Sequence, residues 1–150
     1  MGWLEWVELA ALLLLLLVVL PLAFMFARRR WLSAKGGVFD CAMRVRDIAS
    51  GGWALGLARY EADRLEWYRA FSLRFTPTVQ LERNSTSVVS HRDPDQVEAL
   101  VLFAEHQVVK LHDATRQRDV ELAMTPGSVT GLMSWLEASP PGRGRYPGVE

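Results

Sequence analysis

Residues 118–139 read RDVELAMTPGSVTGLMSWLEAS, and the period of the chain changes inside that stretch. DVELAM reads as a strand. After it, Val129, Leu132, Met133 and Leu136 follow the i, i+3, i+4, i+7 spacing of one apolar helix stripe. Thr125 stands where an N-cap belongs. Pro126 takes the first helical position, where its missing N–H costs nothing. Gly127 and Gly131 lower the helix propensity somewhat. The predicted helix covers 126–138 and ends before SPPGRGRYPGVE, a Pro/Gly-rich tail over 139–150 that is expected to be flexible.

Upstream of that helix the chain reads as β. GGVFDCAMRVR alternates, with Phe39, Cys41, Met43 and Val45 on one face and Asp40, Arg44 and Arg46 on the other. DIASGG is a turn-like break. WALGLARY puts Trp53, Leu55 and Leu57 on one face, and EAD is a hairpin-like connection. RLEWYRAFSLRF reads as an aromatic strand with Leu65, Trp67, Phe71 and Leu73 in register, although Arg69 breaks that face and leaves room for a bulge or a partly open face. Trp67, Tyr68 and Phe71 are expected in the core. TVQLE and TSVVS flank a turn at Arg83 and Asn84, HRDPDQ is a loop, and ALVLF, QVVKLHD and DVELAM complete the set. About seven short strands followed by one amphipathic helix is the order of pleckstrin-homology-like barrels. In these a bent antiparallel sheet closes on itself and the helix plugs one mouth. Other small antiparallel sheets with a terminal helix satisfy the same order. The fold class expected is therefore mainly β, with a pleckstrin-homology-like domain over 37–138.

The N-terminal end is of a different kind. Residues 9–27 contain no charge, and as a helix these 19 residues span roughly 28 Å, close to the hydrocarbon thickness of a bilayer. Trp3 and Trp6 precede the run and Trp31 follows it, as in an aromatic belt. Pro21 is tolerated in a membrane helix. A cleaved signal peptide has a basic start and a small-x-small exit; here the start is acidic and the exit is MFARRR. The basic flank stays in the cytoplasm. The expected layout is an extracytoplasmic N-terminus at 1–8, a transmembrane helix at 9–27, a basic juxtamembrane linker at 28–36 and a cytoplasmic β domain, single-pass in the plasma membrane.

Composition narrows the function. The chain carries 17 Lys and Arg against 17 Asp and Glu. Residues 27–150 hold 17 positive and 15 negative charges; without Arg28, Arg29, Arg30 and Lys35 the count is 13 against 15. The β domain is not basic, which argues against nucleic-acid binding. Cys41 is the one cysteine, so no internal disulfide forms, and its place in the alternation makes it a core residue. His91, His106 and His112 form no motif with it. GGWALG lacks the lysine and setting of a phosphate loop, and no Cys/His spacing suits a metal. HRDPD at 91–95 is only superficially like a kinase catalytic loop, because the chain is too short and its companion motifs are missing. The reading is non-enzymatic, with no cofactor; a small enzyme is the weakest alternative.

GGVFDCAMRVR, GWALGLARYEADRLEWYRAFSLR and VELAMTPGSVTGLMSWLEASPPGR together resemble an actinobacterial family of membrane-anchored proteins, domain of unknown function number 2550. The resemblance covers nearly the whole chain. It implies a small bacterial membrane-anchored protein, in a family whose genes can lie near those of the ATP synthase. It brings no activity, cofactor or site residue. Two functions follow from the residues. One is an adaptor whose β domain offers a groove or sheet edge to a protein partner of unknown identity, with the bilayer holding it in place. The other is a reader of anionic lipid headgroups through Arg28, Arg29, Arg30, Lys35, Arg44 and Arg46. The plainer readings are favoured over it: the arginine triplet as a topology determinant, and Arg44 and Arg46 as a solvated strand face.

Overall fold

A computed structural model describes residues 2–34, 36–45 and 52–138. The chain divides into a helical unit, Met1–Gly36, and a β unit, Gly37–Glu150.

The helical unit is α1, Trp3–Ser33. Its 31 residues measure about 46 Å along the axis. Its apolar side chains, Leu12 to Leu17 among them, are exposed. Among the described residues it is the one helix long and apolar enough to cross a membrane. The helix continues through Arg28, Arg29 and Arg30 to Ser33.

The β unit has nine strand segments among its described residues: β1 Val38–Asp40, β2 Ala42–Arg44, β3 Trp53–Ala54, β4 Gly56–Glu61, β5 Arg64–Arg69, β6 Val79–Glu82, β7 Thr86–Arg92, β8 Gln107–Asp113 and β9 Arg118–Met124. They form two antiparallel sheets, ordered β1-β4-β5-β6 and β3-β2-β9-β8-β7. β1 and β2 are one strand bent at Cys41, and β3 and β4 are one strand bent at Leu55, so the first hairpin belongs to both sheets. Seven strands result. The first pairs with both the second and the last, which is the pleckstrin-homology barrel topology.

The bends arise where packing demands them. The Cys41 N–H donates to the Gly56 carbonyl at 3.1 Å, and the Trp67 indole N–H donates to the Cys41 carbonyl at 2.9 Å. Both strands therefore turn at one level, over the Trp67 ring. Between the sheets lie Met43, Ala58, Leu65, Trp67, Leu81, Val109, Leu111, Leu122 and Met124. The second hairpin turns tightly on Ala62, at φ 52.

α2, Pro126–Glu137, closes the barrel as its stripe predicts: Val129 and Leu132 are buried, while Met133, Trp135 and Leu136 are half-buried against the core. Thr125 accepts the Ser128 N–H as N-cap. Phe39, Tyr60 and Trp135 stack at 5.2 Å centroid spacings, and the Arg83 guanidinium lies over Trp135.

Four sequence expectations need correction. GGVFDCAMRVR and WALGLARY are not straight strands, and Leu55, at the second bend, is exposed rather than in line with Trp53 and Leu57. RLEWYRAFSLRF stops as a strand at Arg69; Phe71 and Leu73 point away from the core. Alternation alone cannot show where the partner strand ends, and β6 pairs only as far as Trp67. ALVLF is not a strand but a 3-10 turn, Glu98–Leu100, followed by a bend, with Leu102 alone buried. Its apolar side chains exceed what one sheet face can cover.

Candidate functional site

The second sheet ends at β7, which pairs with β8 on one side and is last in the strand order. Its β-branched sequence TSVVS favours extended backbone. Residues 87–91 are all exposed. A register shift between Val88 and Ser90 bulges the strand and turns Val89 outward, at 53% exposure. One edge of backbone N–H and C=O groups thus lacks a strand partner among the described residues, the feature that lets an extended peptide add to a sheet.

β7 runs into an excursion, residues 93–106. Asp95 Oδ1 accepts the backbone N–H groups of Val97 and Glu98 at 2.9 and 2.8 Å, and Glu98 Oε2 accepts the Asp95 N–H at 3.0 Å. This reciprocal box starts the 3-10 turn Glu98–Leu100. The buried Glu98 carboxylate then takes two bonds from Arg92, at 2.6 and 2.9 Å, and lies 3.4 Å from Arg44. Arg44 also bonds Glu121 at 2.6 Å. Two arginines and two glutamates thus lock the excursion to the sheet. The Arg92 hydrogen bonds outweigh burial and, with the Asp95 N–H, hold the Glu98 carboxyl down to about 2. Glu98 raises Arg92 in turn. Leu102 is the apolar anchor, packed on the outer side of the sheet with Ala42, Trp53, Val108 and Ala123.

What the lock holds out to solvent is apolar and acidic. Val97, Leu100, Val101 and Phe103 are exposed, Leu100 at 86%. Between Arg92 and Lys110 the chain has Asp93, Asp95, Glu98 and Glu105 and no Lys or Arg. An open pocket of ≈ 410 Å³ lies where β7 ends and β8 and α2 begin, lined by Asp93, Pro94, Phe103, Glu105, His106 and Pro126 among others. His106 is buried, and Phe103 meets it edge-on at 5.3 Å. Burial lowers the imidazole below its ordinary value, against the opposing charge of Asp40. Its buried Nδ1 has no hydrogen-bond partner. Two carboxylates and an aromatic edge favour a group with an apolar stem and a cationic head, as in Lys or Arg.

The residues expected to contact anionic lipid fall on both units and partly outside the described residues. Arg28, Arg29 and Arg30 belong to the helical unit. Lys35 and Arg46 lie outside the described residues. Arg44, at the end of β2, faces two carboxylates and stacks over Trp53 at 5.5 Å from its ring centroid. Cys41 is buried, and burial pushes its thiol well above the ordinary range, so it is a packed side chain and not an activated nucleophile. No cluster of three or more His, Cys, Asp or Glu fit for a metal exists among the described residues. Sequence reading missed Arg92, Glu98, His106 and Glu121. Only the D-x-x-E spacing of Asp95 and Glu98 was there to be read as a capping box.

A seven-stranded pleckstrin-homology-like barrel with a C-terminal helix, preceded by a helix apolar enough for a membrane, defines the class of protein. Its affiliation is specific: the chain belongs to the family described as "Protein of unknown function (DUF2550)", which matches residues 14–142. An uncharacterized protein of Mycobacterium tuberculosis strain H37Rv is 34% identical over 136 residues, 89% of this chain and 92% of that one. An uncharacterized protein of Mycobacterium leprae is 30% identical over 123 residues, 81% and 84% of the two chains. Among solved structures, the chain is similar to the tandem PX-PH domains of Bem3 from Saccharomyces cerevisiae, at 12% identity and a TM-score of 0.42, over 67% of this chain and 39% of that one.

Proposed function

We propose that this protein is a non-enzymatic, membrane-tethered interaction module. α1 spans the plasma membrane once, with the N-terminus outside, and the β domain works at the cytoplasmic face. The arginine triplet after the apolar run supports that orientation. The β domain takes an extended segment of a partner protein. One observation carries the reading: β7 is an exposed terminal strand beside an outward apolar surface and an acidic pocket. A docked segment adds main-chain hydrogen bonds along β7 and places a Lys or Arg side chain near Asp93, Glu105 and His106. Tethering raises the local concentration of both molecules at the membrane.

The test is photo-crosslinking in native membranes, with the full chain carrying a photoreactive side chain at Val89, at Leu100 or, as control, at Gln117 in the hairpin between β8 and β9. A discrete protein adduct at Val89 and Leu100, lost with Asp93→Lys, is expected. Equal labelling at all three positions overturns the reading.

Headgroup recognition is the second reading. Arg44 already faces Glu98 and Glu121, which leaves less charge there for a phosphate. Loss of binding to anionic vesicles in an Arg44→Ala, Arg46→Ala double variant would restore that reading.

A further inference from the structure

The β domain exposes two apolar patches, and their charges differ in sign. The segment 93–106 itself holds Asp93, Asp95, Glu98 and Glu105 and no Lys or Arg. The other is the loop between β5 and β6. Phe71 and Leu73 are 78% and 69% exposed, with Phe75 beside them and Leu55 near the base. From Trp67 to Leu81 the chain has Arg69 and Arg74 and no Asp or Glu.

The loop is held at its base. The Ala70 N–H donates to the Leu55 carbonyl at 2.9 Å, and the Thr78 N–H donates to the Trp67 carbonyl at 2.8 Å. Ser72 Oγ accepts the Arg74 N–H at 3.2 Å, which shapes the tip. Phe71 and Leu73, two residues apart, therefore project from a closed base, in a loop that also carries Arg69 and Arg74. Large aromatic and aliphatic side chains with interspersed Arg suit the interfacial layer of an anionic bilayer, where apolar groups leave water and guanidinium groups meet phosphate. An anionic leaflet complements a loop whose own charges are all positive.

Chain connection favours the same occupant. Only four residues separate Ser33, the last of α1, from Val38, the first of β1. The five residue steps from Ser33 to Val38 reach about 17 Å fully extended, so the β unit stays tethered within that reach of the end of α1.

We propose that the loop 69–75 lies in the headgroup and upper acyl layer of an anionic leaflet, with Phe71, Leu73 and Phe75 immersed. This inference rests on the reading of α1 as a membrane anchor. It does not depend on the partner site, which lies on other residues.

The test uses the full chain reconstituted in vesicles of phosphatidylcholine with phosphatidylglycerol. An environment-sensitive fluorophore is attached at Leu73→Cys or, as control, at Gln117→Cys. Cys41 is buried and competes little for the label. The protein should float with the vesicles. The label at Leu73→Cys should shift to the blue and be quenched several-fold more by lipid spin-labelled near the headgroup than the label at Gln117→Cys. Arg69→Gln with Arg74→Gln should reduce that quenching, and vesicles of phosphatidylcholine alone should show less of it. Flotation with a wet, unquenched label at Leu73→Cys overturns the inference and leaves the anchor intact. A dry label that spin-labelled lipid does not quench means that protein, a second copy included, covers the loop, and overturns it too. Failure to float overturns the anchor reading and this inference with it.

Discussion

The indole N–H of Trp67 donates to the carbonyl oxygen of Cys41 at 2.9 Å, at the point where the first strand leaves one sheet and joins the other. Both residues are buried, so no water can replace the bond. Trp67→Phe leaves that carbonyl unpaired at a cost of about 1–3 kcal/mol. The thermal midpoint of the full chain in mild detergent, followed by near-UV circular dichroism, should fall by about 4–15 °C. An unchanged midpoint would show that the bend does not depend on this bond.

Gly56 sits beneath the same ring. A Cβ there would lie 2.5 Å from Cε2 and Cζ2 of Trp67 and 2.5 Å from the Tyr68 carbonyl oxygen. The carbonyl belongs to the β4–β5 pairing and cannot swing aside. Gly56→Ala should cost about 3 kcal/mol or more through overpacking. Combined with Trp67→Phe it should cost less than the two separate losses together, because both act on one contact. Unfolding midpoints of the two single variants and the double variant measure this.

Glu98 makes the fold acid-sensitive. Its carboxyl titrates at about 2 in the folded chain, against an ordinary 4.5. The unfolded chain therefore binds the proton first as pH falls. The stabilisation is complete above about pH 5 and disappears as pH drops toward 2, with an upper value of about 3 kcal/mol. Glu98→Gln should flatten that part of the stability curve, measured as the unfolding midpoint between pH 5 and 2.

Arg92 and Arg44 share Glu98 unequally. Arg92 gives it two hydrogen bonds, while Arg44 stands at 3.4 Å and is better paired with Glu121. Arg92→Ala strands a buried carboxylate and should cost about 3–5 kcal/mol. Arg44→Ala should cost about 1 kcal/mol, because Arg92 still covers the charge. Hydrogen exchange at the Val101 and Leu102 amides should accelerate strongly in the first variant and little in the second.

Topology has its own assay. A reporter enzyme active only outside the cytoplasm, fused after Glu150, should be silent. A cytoplasmic reporter at the same place should be active. The opposite pair of results would reverse the proposed orientation.

The elements legible in sequence are those whose signal is local. The apolar run behind α1 needs no partner to be recognised. For α2, Thr125, Pro126 and the stripe of Val129, Leu132, Met133 and Leu136 sit within twelve residues, and the helix follows them closely. β8 and β9 were readable as a hairpin because a short polar connection joins two alternating runs. The pairing of Arg44 with Glu98 was not readable, since 54 positions separate them and no spacing rule reaches that far. Nor was the acidic pocket, whose lining comes from the end of β7, the excursion and the start of α2.

Period and polarity therefore settled that this chain joins one long apolar helix to a mainly β domain ending in a helix, because hydrophobic periodicity is a property of neighbouring residues. Packing settled the rest. Alternation at 38–45 assigns side chains to faces, but only the ring of Trp67 and the close approach at Gly56 decide that the strand bends at Cys41 and serves two sheets. Two stretches, 69–75 with its alternating Phe71, Leu73 and Phe75 and the apolar 99–103, read as strands. They are surface loops instead because the interior between the sheets is already filled by Leu65, Trp67, Leu81, Leu111 and Leu122, and a filled core has no room for further side chains.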